Sequence, residues 1–261
     1  NYASELETIN INFSTEKATR MDNMFSFCHS LKTLDLKSFD TTKVKSMESM
    51  FNTCYELTSL NIANFKTNNV ENMKYMFNSC RGLTSIEVSN FDTAKVTSMQ
   101  NMFTSTEQLK SIDVSKFDTS NVVNMDNMFA YSGLTSLDLS NFNTAKVTNM
   151  YGMFYNSLNL KIIKMNNFDF TNVKTISSIF SKCESLTSIE VTKFNTVNVE
   201  YMIEVFNGCN SLLSIDLSSF VTSKVISFYN MFNGCKSLKR LDCSSFDTSK
   251  AETFYYMFNN C

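Results

Sequence analysis

The sequence predicts an α/β repeat fold, a single solenoid domain over residues 1–261 built from about ten coils of 26 residues. Two observations predict it. A Met-Phe-like pair recurs every 26 residues with one step of 25, and no linker or change of composition separates any two units. A fixed period of roughly 20–50 residues is typical of units that bury their apolar edges only against their neighbours. The pairs begin at Met24, Met50, Met76, Met102, Met128, Met153, Ile179, Val205, Met231 and Met257.

The first part of each unit has the pattern of a short β-strand. In the unit that begins at Leu57, Leu60 and Ile62 are two residues apart and would share one face of a strand, while Ser59 and Asn61 face outward. The opening Leu-x-x-Leu-x-Leu recurs along the chain. We therefore expect a right-handed leucine-rich-repeat solenoid with one continuous parallel β-sheet.

The second part of each unit changes to a helical spacing. Val70, Met73, Met76 and Cys80 are three or four residues apart. This spacing predicts an inward stripe on a short helix or 3₁₀ turn on the side opposite the sheet. Thr67 precedes Val70 by three residues, where its hydroxyl could cap the free N–H groups of that helix.

Composition limits the classes of partner. The chain is 43% hydrophobic with a net charge of −2, so it lacks the concentrated Lys/Arg footprint that nucleic-acid binding needs. No stretch approaches the roughly 18 apolar residues of a membrane span. The opening residues contain no signal sequence, and the chain stops on a repeat boundary at Cys261. We expect a segment of a longer protein, with any export signal and anchor outside it.

Seven of the eight cysteines occupy one position near the end of the unit. Stacking would bring consecutive members within the Cα range of a disulfide, but parallel side-chain directions fit the required dihedral angle poorly. Two other units carry Thr106 and Ser157 at this position. We therefore favour a column of free buried thiols over paired bridges. No histidine column accompanies it, so we expect no zinc or other metal bound by these cysteines.

A resemblance is carried by residues 134–150, which read Leu-Thr-Ser-Leu-Asp-Leu-Ser-Asn-Phe-Asn-Thr-Ala-Lys-Val-Thr-Asn-Met and are followed by Met-Phe. This segment resembles the 26-residue leucine-rich repeats of BspA-like surface proteins, also called mycoplasma lipoprotein-associated repeats. The resemblance covers residues 6–261. It implies a secreted or cell-surface-anchored protein, and a role in adhesion, co-aggregation or antigenic variation. The partner it implies is a protein or glycan on host or neighbouring cells.

Catalysis needs convergent acid, base or nucleophilic groups, and the sequence offers few. The one histidine, His29, lies beside Cys28, whereas a Cys/His pair in an enzyme meets across a cleft. No glycine-rich phosphate loop is present. Paired catalytic carboxylates need unlike environments, and a repeated column offers like ones. We expect no enzymatic activity and no cofactor.

The outward strand position carries a carboxylate in seven of nine coils, including Asp113 and Asp138. Stacked about 5 Å apart, these groups would form a negative strip for a cationic partner or for weakly bound Ca²⁺. The alternative, which we favour for most members, is that the carboxylates only keep the strand face soluble.

Departures from the repeat indicate where binding residues lie. Between residues 104 and 178 one residue is deleted, and Ile162 and Lys164 replace the usual Ser and Asp of the strand face. With Lys161 beside them, these residues have the composition of a binding hot spot. The alternative is sequence drift in one degenerate repeat, without a function. Tyr229 and Tyr255 form a second candidate partner surface.

The sequence thus predicts a cell-surface binding or adhesion protein that presents an extended solenoid face to a macromolecule. Solenoids offer large, shallow surfaces, which suit such partners better than small substrates. The alternative function is a structural spacer, or an antigenically variable surface array with no specific ligand.

Overall fold

The computed structural model describes residues 5–261, in which equivalent residues of successive units lie beside one another in parallel. In each strand of this range the middle residue is buried and the two flanking residues are exposed. The predicted repeat fold with an alternating strand face is confirmed, while its handedness stays a prediction. The strands within this range are β1 (Thr33–Asp35), β2 (Ser59–Asn61), β3 (Ser136–Asp138) and β4 (Ile162–Lys164).

The prediction of one continuous sheet is wrong. Within the described residues β1 pairs with β2 and β3 pairs with β4, as two separate two-stranded parallel sheets. Each strand is short because a turn follows it at once. The Asp35 carboxylate accepts the backbone N–H of Lys37 at 3.1 Å, which ends β1. A second line of parallel bridges, on the other part of the unit, runs from Arg20 to Asn149 and from Thr175 to Thr253.

Of the two predicted alternatives, short helices or 3₁₀ turns, the helices are not confirmed, since residues 5–261 contain no helix. The second part of each unit forms a run of consecutive turns that we call the turn ribbon, residues 47–54 in one coil. Its N–H groups alternate between two kinds of partner. The N–H of Met50 donates to Met47 in its own coil at 3.2 Å, whereas the N–H of Phe51 donates to Met76 in the next coil at 2.9 Å. A helix would keep both bonds within one coil.

The turn ribbon places two residues per coil, four apart, in the left-handed backbone region. In one coil these are Ser49 and Thr53, with φ of 56° and 65°. This conformation costs a residue other than glycine roughly 1–2 kcal/mol. Seventeen such residues adopt it within the described range, so the hydrogen bonds between coils must offset a repeated local strain.

The core consists of stacked columns, and one column of phenylalanines runs from Phe25 to Phe258. Each ring stacks on the ring of the next coil, with centroids 5.5–6.1 Å apart and interplanar angles of 1–11°. In the central coils these rings are fully buried. Burial of each ring contributes about 1.5–3 kcal/mol before the loss of conformational entropy is subtracted. A single coil has no partner for its ring, so the stack stabilises only coils that are adjacent.

The threonine predicted to cap a helix bonds the neighbouring coil instead. The hydroxyl of Thr67 accepts the N–H of Asp92 at 2.8 Å and donates to the carbonyl of the same residue at 2.9 Å. Thr41 bonds both backbone groups of Lys66 in the same way. These threonines are buried, so each satisfies two backbone groups that water does not reach freely.

We expect Thr67→Val to lower the free energy of unfolding by about 1–3 kcal/mol, because it leaves the N–H and C=O of Asp92 without their partner. Thermal and urea unfolding of the purified domain would measure this. The exposed Thr84, changed to Val, is the control, and we expect it to change stability by less than about 0.5 kcal/mol. Equal losses in the two variants would contradict a bridging role for the threonine column.

Candidate binding surfaces

The strand face around β4 differs from the other coils as the sequence predicts. Ile162 and Lys164 flank the buried Ile163, and Ile162 is 59% exposed. In register beside Ile162 lies Ser136 of β3. Because this row of the face carries Ser or Thr in the coils before it, Ile162 is a large apolar side chain on an otherwise polar row.

The structure brings the other residues of this candidate site together. The Lys164 ammonium lies 3.1 Å from the Asp138 carboxylate of the preceding coil, and both side chains are more than half exposed. Lys161 is also exposed, and its N–H donates to Thr135 at 2.9 Å. We call Lys161, Ile162, Lys164 and Asp138 the β4 patch. It combines one apolar side chain with an ion pair and a further cation.

The acidic column, which includes Asp113, has a local structural role. The Asp113 carboxylate accepts the N–H of Ser115 at 3.0 Å, and Asp216 and Asp242 make the equivalent bond two residues ahead. Hydrogen bonds from Ser115 hold the pKa of Asp113 below its ordinary value. Within residues 5–261 no cluster of His, Cys, Asp and Glu has a geometry that could hold a metal ion. The carboxylates that accept this bond from the N–H two residues ahead, and so serve the turn after their own strand segment, are Asp35, Glu87, Asp113, Asp138, Asp216 and Asp242.

Tyr229 and Tyr255 lie on the turn ribbon, apart from the β4 patch in the repeat. Their rings stack with centroids 5.9 Å apart, and Tyr255 is 57% exposed whereas Tyr229 is half-buried. Sequence reasoning missed that Tyr151 and Tyr201 line a shallow depression on the same ribbon. A signal was present, because the position two residues before the Met-Phe pair is polar in the early coils and often aromatic or aliphatic in the later ones.

The cysteines are free, as favoured from the sequence, and all but Cys243 and Cys261 are buried. From Cys54 onward the thiols of the column donate to a phenylalanine carbonyl of the preceding coil, for example Cys80 to Phe51 at 3.1 Å. Burial raises the pKa of Cys54 to about 12. Ser157 donates to Phe129 at 2.8 Å in the same way. The position needs a hydrogen-bond donor more than it needs sulfur, so the column is structural.

The deleted residue leaves a notch at the edge where each coil returns to its strand. In most coils two residues separate the cysteine position from the next leucine, but only Gly133 stands between Ser132 and Leu134. A depression of about 310 Å³ opens there. Sequence reasoning noticed the deletion without expecting a cavity. The residues that line the notch are Glu107, Tyr131, Ser132, Gly133, Asn156, Leu158 and Asn159.

A family model described as "Mycoplasma protein of unknown function, DUF285" matches residues 1–87, 79–188 and 158–261. The chain belongs to this family. The resemblance to BspA-like repeats is thereby confirmed. Comparison with curated proteins gives no match. Among the described residues, no helix has the length and hydrophobicity needed to cross a bilayer.

Solved structures align only loosely with this DUF285 chain. A leucine-rich repeat protein from Bacteroides ovatus is 18% identical, with a TM-score of 0.38, over 85% of this chain and 63% of the other. A leucine-rich cell surface protein from Faecalibacterium prausnitzii is 17% identical, with a TM-score of 0.31, over 86% of this chain and 76% of the other. TLR13 in complex with ssRNA13 is 16% identical, with a TM-score of 0.34, over 89% of this chain and 40% of the other.

We expect Ser140→Ala to raise the pKa of Asp138, which is now about 2. Hydrogen bonds from Ser140 lower this pKa most, and the Lys164 ammonium lowers it less. A depressed pKa stabilises the fold above the ordinary carboxyl range, and the contribution is lost as the pH falls towards 2. NMR titration of the side-chain carboxyl carbon of Asp138 would measure its pKa in the wild type and in Ser140→Ala. An unchanged pKa of Asp138 in Ser140→Ala would contradict the hydroxyl group as the largest cause.

Proposed function

We propose that this chain is a non-enzymatic, surface-exposed binding protein whose β4 patch contacts a macromolecule, a protein or glycan, on a host or neighbouring cell. The observation that carries the proposal is Ile162, exposed on a row of Ser and Thr and flanked by Lys161 and Lys164. An exposed aliphatic side chain ringed by charges is the composition of an interface hot spot with a polar rim.

Charge and location belong to the same proposal. The net charge of −2 and the alternation of Lys with Asp on this face favour a partner other than nucleic acid. Membership of the DUF285 family and the BspA-like repeat pattern favour a secreted or cell-surface-anchored setting. The β4 patch is shallow, which suits an extended partner surface better than a small substrate.

We expect the double variant Ile162→Ser and Lys164→Asp, which restores the usual strand face, to weaken binding by roughly thirtyfold or more. Purified protein would be screened against extracellular matrix proteins, whole host cells and a glycan array. Removal of a central apolar anchor typically costs about 2 kcal/mol or more, which is roughly a thirtyfold loss of affinity.

Leu213→Thr is the matched control, because Leu213 is also 59% exposed but lies in another coil. We expect it to bind as the wild type does. Equal loss in both variants would contradict the β4 patch and would indicate that any exposed aliphatic side chain supports the interaction.

The second candidate function is a structural spacer. The unbroken phenylalanine column from Phe25 to Phe258 favours it, because a regular stack makes a stiff rod whether or not its surface binds anything. Absence of binding by the folded wild type in every arm of the screen would support the spacer and overturn the binding role.

A further inference from the structure

We propose that the notch at Gly133 is a subsite for one sugar ring of a neutral glycan. The inference rests on the proposed binding role, because the notch and the β4 patch share a coil. Leu158 and Asn159 line the notch, and Lys161 and Ile162 follow within four residues. A glycan bound at the notch would therefore extend over the β4 patch.

The notch interrupts a row of side chains that otherwise contact one another from coil to coil. We call this row of side chains the return row. In each coil it is formed by the residue that directly follows the cysteine position. His29 stacks on Tyr55 with ring centroids 4.8 Å apart, and the Arg81 guanidinium lies 4.8 Å from the centre of the same ring. Arg81 in turn pairs with Glu107 at 3.4 Å. In the next coil the member of the row is Gly133, which follows Ser132 and has no side chain, and the row of side chains resumes at Leu158.

The chain itself cannot fill this gap. A Cβ atom on Gly133 would lie 2.0 Å from the carbonyl oxygen of Glu107 and 2.7 Å from its carbonyl carbon. Both contacts are to backbone, so no side chain fits at this position without moving a neighbouring coil. Glu107 and Leu158 are two coils apart, or roughly 10 Å at ordinary strand spacing. The depression opens beside this close backbone contact, and one flat group can enter it between Glu107 and Leu158.

The walls of the notch alternate apolar and neutral polar groups. Tyr131 and Leu158 are 42% and 41% exposed and offer apolar surface. The amide groups of Asn156 and Asn159 form no hydrogen bond to other residues of the described range, so they remain available to a ligand. Sugar rings have this same pairing of a C–H face with a rim of hydroxyls, which amide groups bind as donors and acceptors.

Charge and size favour a neutral ligand of one ring. Glu107 is the carboxylate that lines the notch, and it pairs with Arg81 at 3.4 Å while its carbonyl accepts a hydrogen bond from the Lys110 ammonium at 3.3 Å, so a cationic ligand finds no free carboxylate there. The volume of about 310 Å³ lies at the small end of the roughly 300–1,000 Å³ typical of ligand sites. This space holds one ring and not a folded peptide segment.

Saturation-transfer NMR with the methyl glycosides of glucose, galactose, mannose and N-acetylglucosamine tests the proposal. We expect one or more to bind wild-type protein weakly, with a Kd on the order of 1 mM. Tyr131→Asn, which suits the left-handed backbone at φ 55°, and Asn159→Ala should each weaken binding about tenfold. Insertion of an asparagine between Ser132 and Gly133 restores the 26-residue unit and should abolish binding.

The matched control is Tyr55→Asn, a similarly exposed tyrosine on the intact part of the return row, which should bind like the wild type. Melting temperatures would establish that each variant is folded. No glycoside binding by the wild type, or unchanged binding by the folded insertion variant, would overturn the sugar subsite. If macromolecular binding still depended on Ile162 in that case, the proposed function would stand and the partner would be a protein surface.

Discussion

The structure depends on hydrogen bonds that leave one coil and end in the next. In the turn ribbon every second N–H does this, as Phe51 does to Met76, and the buried threonines add two more bonds per coil. A coil in isolation would leave these groups unpaired while holding left-handed residues such as Thr53. Because the same bonds fix the distance between coils, they also set the spacing of the phenylalanine and cysteine columns. The hydrogen bonds between coils therefore account both for the stability of the fold and for the regular spacing of its columns.

At each position such a stack requires a chemical property, for example a hydrogen-bond donor, more than it requires a particular residue. Ser157 takes the bond of a column cysteine because its hydroxyl also donates to a carbonyl. Phe170 takes a threonine position and forfeits the bond between coils, but it packs against Phe194 with ring centroids 4.5 Å apart. The departures that we propose to bind a partner have a different character, since they change what the surface presents. They are Ile162 and the gap at Gly133, which lie within two coils of each other.

The period could be predicted from the sequence, and with it the inward residues, the alternating strand face and the free thiols. The choice between a helix and 3₁₀ turns could not be made from the sequence, because apolar spacings of three and four fit a run of turns as well as a helix. The feature that distinguishes the turn ribbon from a helix is the left-handed backbone at Ser49 and Thr53. The sequence does not reveal this conformation, because neither residue is glycine. The exposure of Ile162 could be predicted from its place in the outward row of the strand face. The notch could not be predicted, because Glu107 and Leu158 are distant in sequence and come together only when the coils stack.

The most direct test of this account is NMR measurement of scalar couplings through hydrogen bonds in the turn ribbon. The account predicts a coupling between the amide nitrogen of Phe51 and the carbonyl carbon of Met76, and between that of Ser49 and the carbonyl carbon of Lys74. A helix would instead couple Phe51 to Met47 in its own coil. Observation of that coupling within one coil would contradict the claim that bonds between coils hold the fold together.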